Sequence, residues 1–334
     1  MEIKKLIIYL TFINIFVVFF IDKIAHVYNV FDQPNKRKLH KKKISLLGGP
    51  LILLNLFFIF FQSFLTDNEI FEKIFNFSKL EFYYLFFTSV LIFFVGFIDD
   101  KKGLLANIKL IAISFILLQI LFLDDNLIIN ILKFGFNDYS FSLEKISIFF
   151  TLFCFLLFMN AFNMFDGIDL QASLYALFLL IIILSKSTYT NFVIILIIQI
   201  FFILYLNFKK KIFLGDSGSL LLSFLLGSLI IKSYNNNLNV FLADEIFLIM
   251  LLPGLELLRL AIFRILKKKH PFVADNEHIH HYLLNRYNFV KTTIIIQSIY
   301  IFPIIFYYSF NNIFYSISIL IIYYGFVIYK NSSN

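Results

Sequence analysis

Long apolar runs alternate with short polar islands along this chain. A hydrocarbon core about 30 Å thick takes about 20 mostly apolar helical residues. Eleven segments approach that length: 6–21, 46–64, 81–98, 106–123, 147–163, 172–185, 191–207, 213–231, 245–266, 292–309 and 312–329. The sixth is short, with weak boundaries. The pattern predicts an all-α, polytopic membrane bundle of about 11 transmembrane helices, forming a single domain over 1–334. Lys4-Lys5 and the run Leu6 to Ile21 mimic a signal peptide, but Asp22-Lys23 follow with no small-residue cleavage pattern. The first span is therefore read as a retained helix.

Loop charge sets the expected orientation. Lys23, Lys36, Arg37, Lys38, Lys41, Lys42 and Lys43 fill the first loop, and Lys101, Lys102, Lys209 to Lys211 and Lys267 to Lys269 fill loops on the same side. Opposite loops hold few cations and the acids Asp67, Glu69, Glu72, Asp124, Asp125, Asp138 and Glu144. Cationic loops stay cytoplasmic, which predicts an outside N-terminus and an inside C-terminus at Lys330. On that topology every strongly polar cluster falls on the cytoplasmic face. That arrangement suits chemistry on a water-soluble donor at the membrane surface.

Composition sharpens the class. Hydrophobic residues are 60% and charged residues 15% of the chain, with mean hydropathy +0.86, as expected of an integral membrane protein. The net charge of +8 comes from short flanks of apolar spans, so it is no nucleic-acid signal. The lone Cys154 lies inside a span, which excludes a disulfide framework or a cysteine metal site.

Four islands carry candidate chemistry. Asp99-Asp100 end the third span; adjacent carboxylates can hold Mg²⁺ or accept a proton. Lys109 lies just inside the next span, where an ammonium needs an anion or must snorkel. Asn160, Asn163, Asp166 and Asp169 recur every three positions in NAFNMFDGID and would form one polar stripe on a helix. Such a stripe suits a base, ribose hydroxyls or a hydrated metal, or simply helix packing. Gly167 would let backbone approach a ligand or end the helix. In FLGDSGS, Asp216 sits at a predicted helix N-terminus, where it would cap the helix, or, with Mg²⁺, neutralise a pyrophosphate. HPFVADNEHIHH holds His270, His278, His280 and His281, four of the chain's six histidines. Without cysteine these fit phosphate contacts, protonated or neutral, as well as zinc. In the ninth span Pro253-Gly254 should kink the helix, and Glu256 and Arg259, three residues apart, are read as an ion pair rather than as catalytic groups.

Taken in order, these strings resemble the polyprenyl-phosphate N-acetylhexosamine-1-phosphate transferase family, and its glycolipid branch more than its peptidoglycan-precursor branch. The resemblance runs from about Asp32 to Arg286 and rests on DQPNKRKLH, LLGGP, GFIDDKKGL with Lys109, NAFNMFDGID, FLGDSGSLL and HPFVADNEHIHHYL; HIHH points to the glycolipid branch. It implies that undecaprenyl phosphate attacks the β-phosphorus of a UDP-N-acetylhexosamine and that UMP leaves, starting a cell-envelope polysaccharide such as O-antigen or capsule. Mg²⁺, with Mn²⁺ as the alternative, is the implied cofactor, and the bacterial inner membrane the implied location.

The resemblance makes Asp99, Asp100 and Lys109 the groups at the reacting phosphates and Asp216, with Asn163, the metal site. Asn160, Asn163, Asp166 and Asp169 would line the nucleotide pocket, and His278, His280 and His281 would contact donor phosphate or sugar. The ninth helix resembles the family's split helix, which opens a groove for the prenyl tail. Three positions depart from the usual pattern: Leu170 follows Asp169 where a glycine is usual, Glu256 replaces an aspartate, and Ser45-Leu46 lack a proline before Gly48-Gly49. A homodimer is left open. The competing expectations are phospho-N-acetylmuramoyl-pentapeptide transfer, a secondary transporter and a membrane scaffold. Transporters place ionisable groups mid-bilayer in repeated halves, whereas here only Glu256 and Arg259 are expected to lie deep and no internal repeat is visible.

Overall fold

The computed structural model describes residues 3–34, 42–137, 139–238, 240–270 and 275–332. Lys36, Arg37, Lys38, Lys41 and Asp138, used above for orientation, lie outside the described residues, as do parts of DQPNKRKLH and HPFVADNEHIHHYL. Thirteen α-helices are formed among the described residues: α1 (Ile3–Tyr28), α2 (Gly48–Phe64), α3 (Asn68–Phe75), α4 (Lys79–Lys102), α5 (Ala106–Leu123), α6 (Ser147–Phe165), α7 (Gln171–Lys186), α8 (Thr190–Phe208), α9 (Gly215–Asn236), α10 (Ala243–Leu266), α11 (Ile279–Leu284), α12 (Phe289–Phe310) and α13 (Ile313–Ser332). Nine of them are long and apolar enough to cross a membrane, and α2 and α7 are shorter apolar helices. The all-α polytopic architecture is as expected, and each predicted span falls on one of these eleven helices.

Two short helices and two small sheets were not anticipated. Strand β1 (Phe31–Asp32) pairs antiparallel with β2 (Ile44–Ser45), in register Phe31 to Ser45. Ser45 also bridges Ile212, and Gly48 donates to the Phe213 carbonyl at 3.0 Å, which ties the entry of α2 to the entry of α9. At the other end of the bundle β3 (Ile131–Lys133) and β4 (Ser140–Ser142) form a hairpin, with Leu132 opposite Phe141.

Helix α9 is the axis of the bundle. It is buried along its apolar length and packs on α2, α4, α6 and α7. Lipid tails are as apolar as leucine, so helices in a membrane gain by close approach at small residues. Here glycines supply that approach: a Cβ on Gly96 would lie 2.4 Å from the Ser217 Cα, and one on Gly49 would lie 2.8 Å from the Gly218 nitrogen. The glycines of LLGGP, FVGFIDD and GDSGS thus let three helix backbones touch where the polar islands begin.

Ionisable groups are also buried within the protein at the far end of the bundle, near helix termini. Lys232, near the C-terminal end of α9, is 1% exposed and sits 2.7 Å from Asp124 and 3.1 Å from Glu81. Lys186 pairs with buried Glu245 at 2.6 Å. A buried charge left alone costs several kcal/mol, order of magnitude, so these pairs read as structural. The Glu256–Arg259 pair forms as expected, at 2.9 Å.

Helix α10 passes through Pro253 without a break, so the split expected from the family resemblance is not seen. Proline removes the N–H that would bond the carbonyl four residues earlier. That carbonyl, of Ile249, instead accepts the Tyr175 hydroxyl of α7 at 2.7 Å. The substitute bond satisfies the backbone away from water.

Candidate active site

The site gathers at one end of the bundle because α4 and α6 end there and α5 and α9 begin there. On α9, Asp216 and Lys232 are sixteen residues apart, roughly 24 Å at 1.5 Å per residue, so the two buried charge clusters are well separated.

Helix α4 closes on Gly103, whose φ of +69° is left-handed backbone. The turn returns the chain so that Asp99 accepts the Leu104 N–H at 2.6 Å and the Lys109 ammonium at 2.6 Å. Lys109 is also 3.8 Å from Asp216, bridging two carboxylates. The anion that the N-terminal position of Lys109 demanded is therefore Asp99, inside the protein.

Asp100 accounts for the α9 N-terminus. Its two oxygens accept the N–H groups of Asp216 at 2.7 Å and Ser217 at 3.0 Å. This corrects the expectation that Asp216 caps the helix or that an external anion sits there: no side-chain cap comes from α9 itself, and a carboxylate from α4 fills the favourable position. Gly215, with φ +73°, makes the turn, and a Cβ there would lie 2.9 Å from Asp100. With its backbone N–H groups spoken for, Asp216 turns its own side chain outward. That side chain is 34% exposed, against 8% for Asp99.

Asn163 donates its amide to Asp216 and, at 2.7 Å, to Ser219. It faces Asp216 as a donor, so in this arrangement it orients the carboxylate. The single helical stripe is corrected: α6 ends at Phe165, Asp166 occupies the C-cap with ψ 58°, and Asp169 lies in the following turn. Asn160, one turn back, bonds the Leu156 carbonyl of its own helix at 2.7 Å. Burial and the nearby Asp216, Asp100 and Asp169 push the Asp166 carboxyl up to about 8, so the cluster carries more negative charge than it tolerates unaided.

The histidine island folds into α11. His280 is 3% exposed, and the ring stands directly over Gly167: a Cβ there would fall 1.9 Å from its Cε1. Gly167 is thus required by an imidazole, which joins the NAFNMFDGID and HIHH islands. The rings of His280 and His281 are 4.4 Å apart, and those of His278 and His280 5.1 Å. Burial lowers all three below the usual histidine range. Burial therefore favours their uncharged forms, in which each ring offers one donor and one acceptor.

Leu170 occupies left-handed backbone, φ +69° and ψ −19°, at the position where the family usually has glycine. Its N–H donates to Asn207 at 2.6 Å, which helps hold the strained turn. An L-residue pays roughly 1–2 kcal/mol there. Leu170→Gly is expected to raise stability by about 1 kcal/mol after the entropic cost of glycine. A thermal-unfolding midpoint in detergent that falls instead would show the side chain matters more than the strain.

Several participants escaped the sequence reading. Tyr28 of α1 stacks near Phe97, with ring centroids 5.5 Å apart, and buries an unpartnered hydroxyl close enough to Asp100 to feel its charge. Nothing in the spacing of α1 marked it. Gly48, Gly49 and Gly96 were visible as glycines inside apolar runs, a signal of close helix approach.

A helical bundle that spans a membrane and gathers carboxylates, a lysine and neutral histidines at one end defines a membrane-embedded polar site. Residues 82–234 match the family model described as Glycosyl transferase family 4, a stretch that includes the aspartates, Lys109 and Asn163 but not α11. The chain is 27% identical over 277 residues to the undecaprenyl-phosphate alpha-N-acetylglucosaminyl 1-phosphate transferase of Escherichia coli O157:H7, covering 80% of this chain and 72% of that protein. Proteins of the same name from Salmonella typhi (26% over 292 residues, 84% and 76% coverage) and Thermotoga maritima (27% over 285 residues, 84% and 83%) are similarly related. The family resemblance read from the motifs is borne out.

Proposed function

We propose that this chain transfers N-acetylglucosamine 1-phosphate, or a closely similar N-acetylhexosamine 1-phosphate, from its UDP derivative to undecaprenyl phosphate, releasing UMP. The names of the relatives support the acceptor and the sugar phosphate. The observation that carries the reading is the placement of Asp216, with its side chain 34% exposed, beside Lys109 and Asp99 at one end of the bundle.

In the reaction, an oxygen of the lipid phosphate bonds to the β-phosphorus of the donor. The bond from that phosphorus to the oxygen bridging the α-phosphorus breaks, and UMP takes the electron pair. Phosphoryl transfer needs positioning and charge neutralisation above all. A phosphate monoester has its second pKa near ~6 and is mostly ionised at pH 7, so no carboxylate need act as base. Asp99 and Asp100 fit that: one is committed to Lys109 and Leu104, the other to the α9 backbone. Lys109 would contact phosphate, Asp166 and Asp169 would line the nucleotide side, and the histidines of α11 would contact donor phosphate or sugar.

The donor set fits Mg²⁺. Lys109 lies among Asp99, Asp100 and Asp216, and burial together with Asp216, Asp100 and Asp169 raises the pKa of the Asp166 carboxyl. Among the described residues no three acidic or imidazole groups converge as a closed metal cage. Mg²⁺ favours such sites, because it takes one or two carboxylates and completes its shell with water and substrate phosphates. Asp216 would hold the ion, steadied by Asn163, and the ion would neutralise the pyrophosphate charge that builds on UMP departure.

The site end carries Lys101, Lys102, Lys209 to Lys211 and Lys267 to Lys269, which supports a cytoplasmic face in a bacterial inner membrane. The far end mixes Lys73, Lys79, Lys133, Lys145 and Lys186 with its acids. Incubating purified protein with undecaprenyl phosphate, Mg²⁺ and a panel of UDP-sugars that includes UDP-N-acetylmuramoyl-pentapeptide tests the function. A lipid-linked N-acetylhexosamine pyrophosphate by mass is expected; product only from the pentapeptide donor, or none, rejects it.

A further inference from the structure

Helix α11 begins without a cap of its own: His278, its N-cap, makes no side-chain bond to the helix. The first N–H groups of a helix need partners from elsewhere. That of Ile279 finds one in Glu256 of α10, at 2.8 Å. Glu256 is 2% exposed and is itself held by Arg259 at 2.9 Å and by the Tyr324 hydroxyl of α13. Arg259 reaches on to the Glu277 carbonyl at 2.6 Å and lies over the Tyr282 ring. Five residues further along α10, Arg264 grips Asp275 at 2.7 Å. The imidazole of His278 stays 3.7 Å from Glu256, too far for a hydrogen bond. Helix α10 therefore holds the stretch from Asp275 to Ile279 that leads into His280.

We propose that Glu256, braced by Arg259 and Tyr324, is a positioning residue that fixes α11 and so sets His280 against the Asp166–Gly167 turn. It touches neither substrate; it acts through the histidines. The consequence for donor binding rests on the transfer reaction proposed above, whereas the consequence for α11 does not.

Hydrogen–deuterium exchange and steady-state kinetics together test this. In Glu256→Gln the amide oxygen is a weaker acceptor for Ile279 and Arg259, and exchange over 279–284 is expected to quicken about tenfold while 96–103 and 215–220 are unchanged. The donor KM should rise about tenfold with the acceptor KM unmoved and kcat less affected. Glu256→Asp, which keeps the charge but withdraws it by a methylene, should fall between wild type and Gln in both. Unchanged exchange over 279–284 overturns the proposal whatever the activity does. Faster exchange with an unaltered donor KM overturns it as well, leaving a purely structural brace. Should wild-type protein make no product, the reaction has failed and exchange alone decides the brace. If Glu256→Gln does not accumulate in membranes, Tyr324→Phe removes one bond to the same carboxylate; about threefold changes in the same readouts are expected, and none would overturn the proposal.

Discussion

Asp216→Asn will lower UMP release by about 10²–10³-fold, the usual scale for removing one electrostatic stabiliser of a transition state. The protein should still insert, because Asn is nearly isosteric with Asp and the side chain is 34% exposed. The neutral amide loses the charge that would hold Mg²⁺, while its Oδ1 can still accept from Asn163. Asp99→Asn should act in the same direction for another reason: Lys109 loses its 2.6 Å partner and its fixed position. The check is UMP release by purified variants of verified membrane content. Wild-type rates in either would reject these residues as the centre of the chemistry.

Gly96→Ala is expected to be among the most damaging single methyl groups in the chain. The new Cβ would stand 2.4 Å from the Cα and 2.6 Å from the nitrogen of Ser217, and backbone cannot rotate away. Overpacking of a core costs roughly 1–3 kcal/mol, occasionally more, and here α4 and α9 must separate, so about 3 kcal/mol is expected. The separation also pulls Asp100 from the α9 N-terminus, coupling fold to function. Thermal unfolding in detergent together with UMP release reads both effects. Gly254→Ala is the matched control, since a Cβ there meets nothing within 4 Å. Equal stability of the two variants would contradict the close packing of α4 on α9.

The spans were legible because each apolar run is bounded by charges or turn residues, and run length alone separates a membrane helix from a core helix. Short elements were not. Helix α11 has six residues and α3 eight, too few for a periodicity to stand out. The three-residue repeat from Asn160 to Asp169 was real in the sequence but ran past the helix end, which Asp166-Gly167 impose. Candidate site residues could be located by their rarity in an apolar chain. Their partners could not: that Asp100 would cap α9, that His280 would need Gly167, or that Tyr175 would replace the bond lost at Pro253 depends on pairings more than 70 residues apart. Buried Lys232 and Glu245 were missed for the same reason, since a charge inside a span is affordable only with a distant counter-ion.

The central claim is that turns from opposite ends of the sequence meet on a single face of the membrane. Single cysteines at Lys102, Lys268 and Tyr139, all exposed, can be placed in a Cys154→Ala background, which removes the chain's one native cysteine. A membrane-impermeant thiol reagent applied to right-side-out and inside-out vesicles then reports the side of each. Positions 102 and 268 should react only in inside-out vesicles and position 139 only in right-side-out ones. Reaction of 102 and 268 from opposite sides would contradict the account.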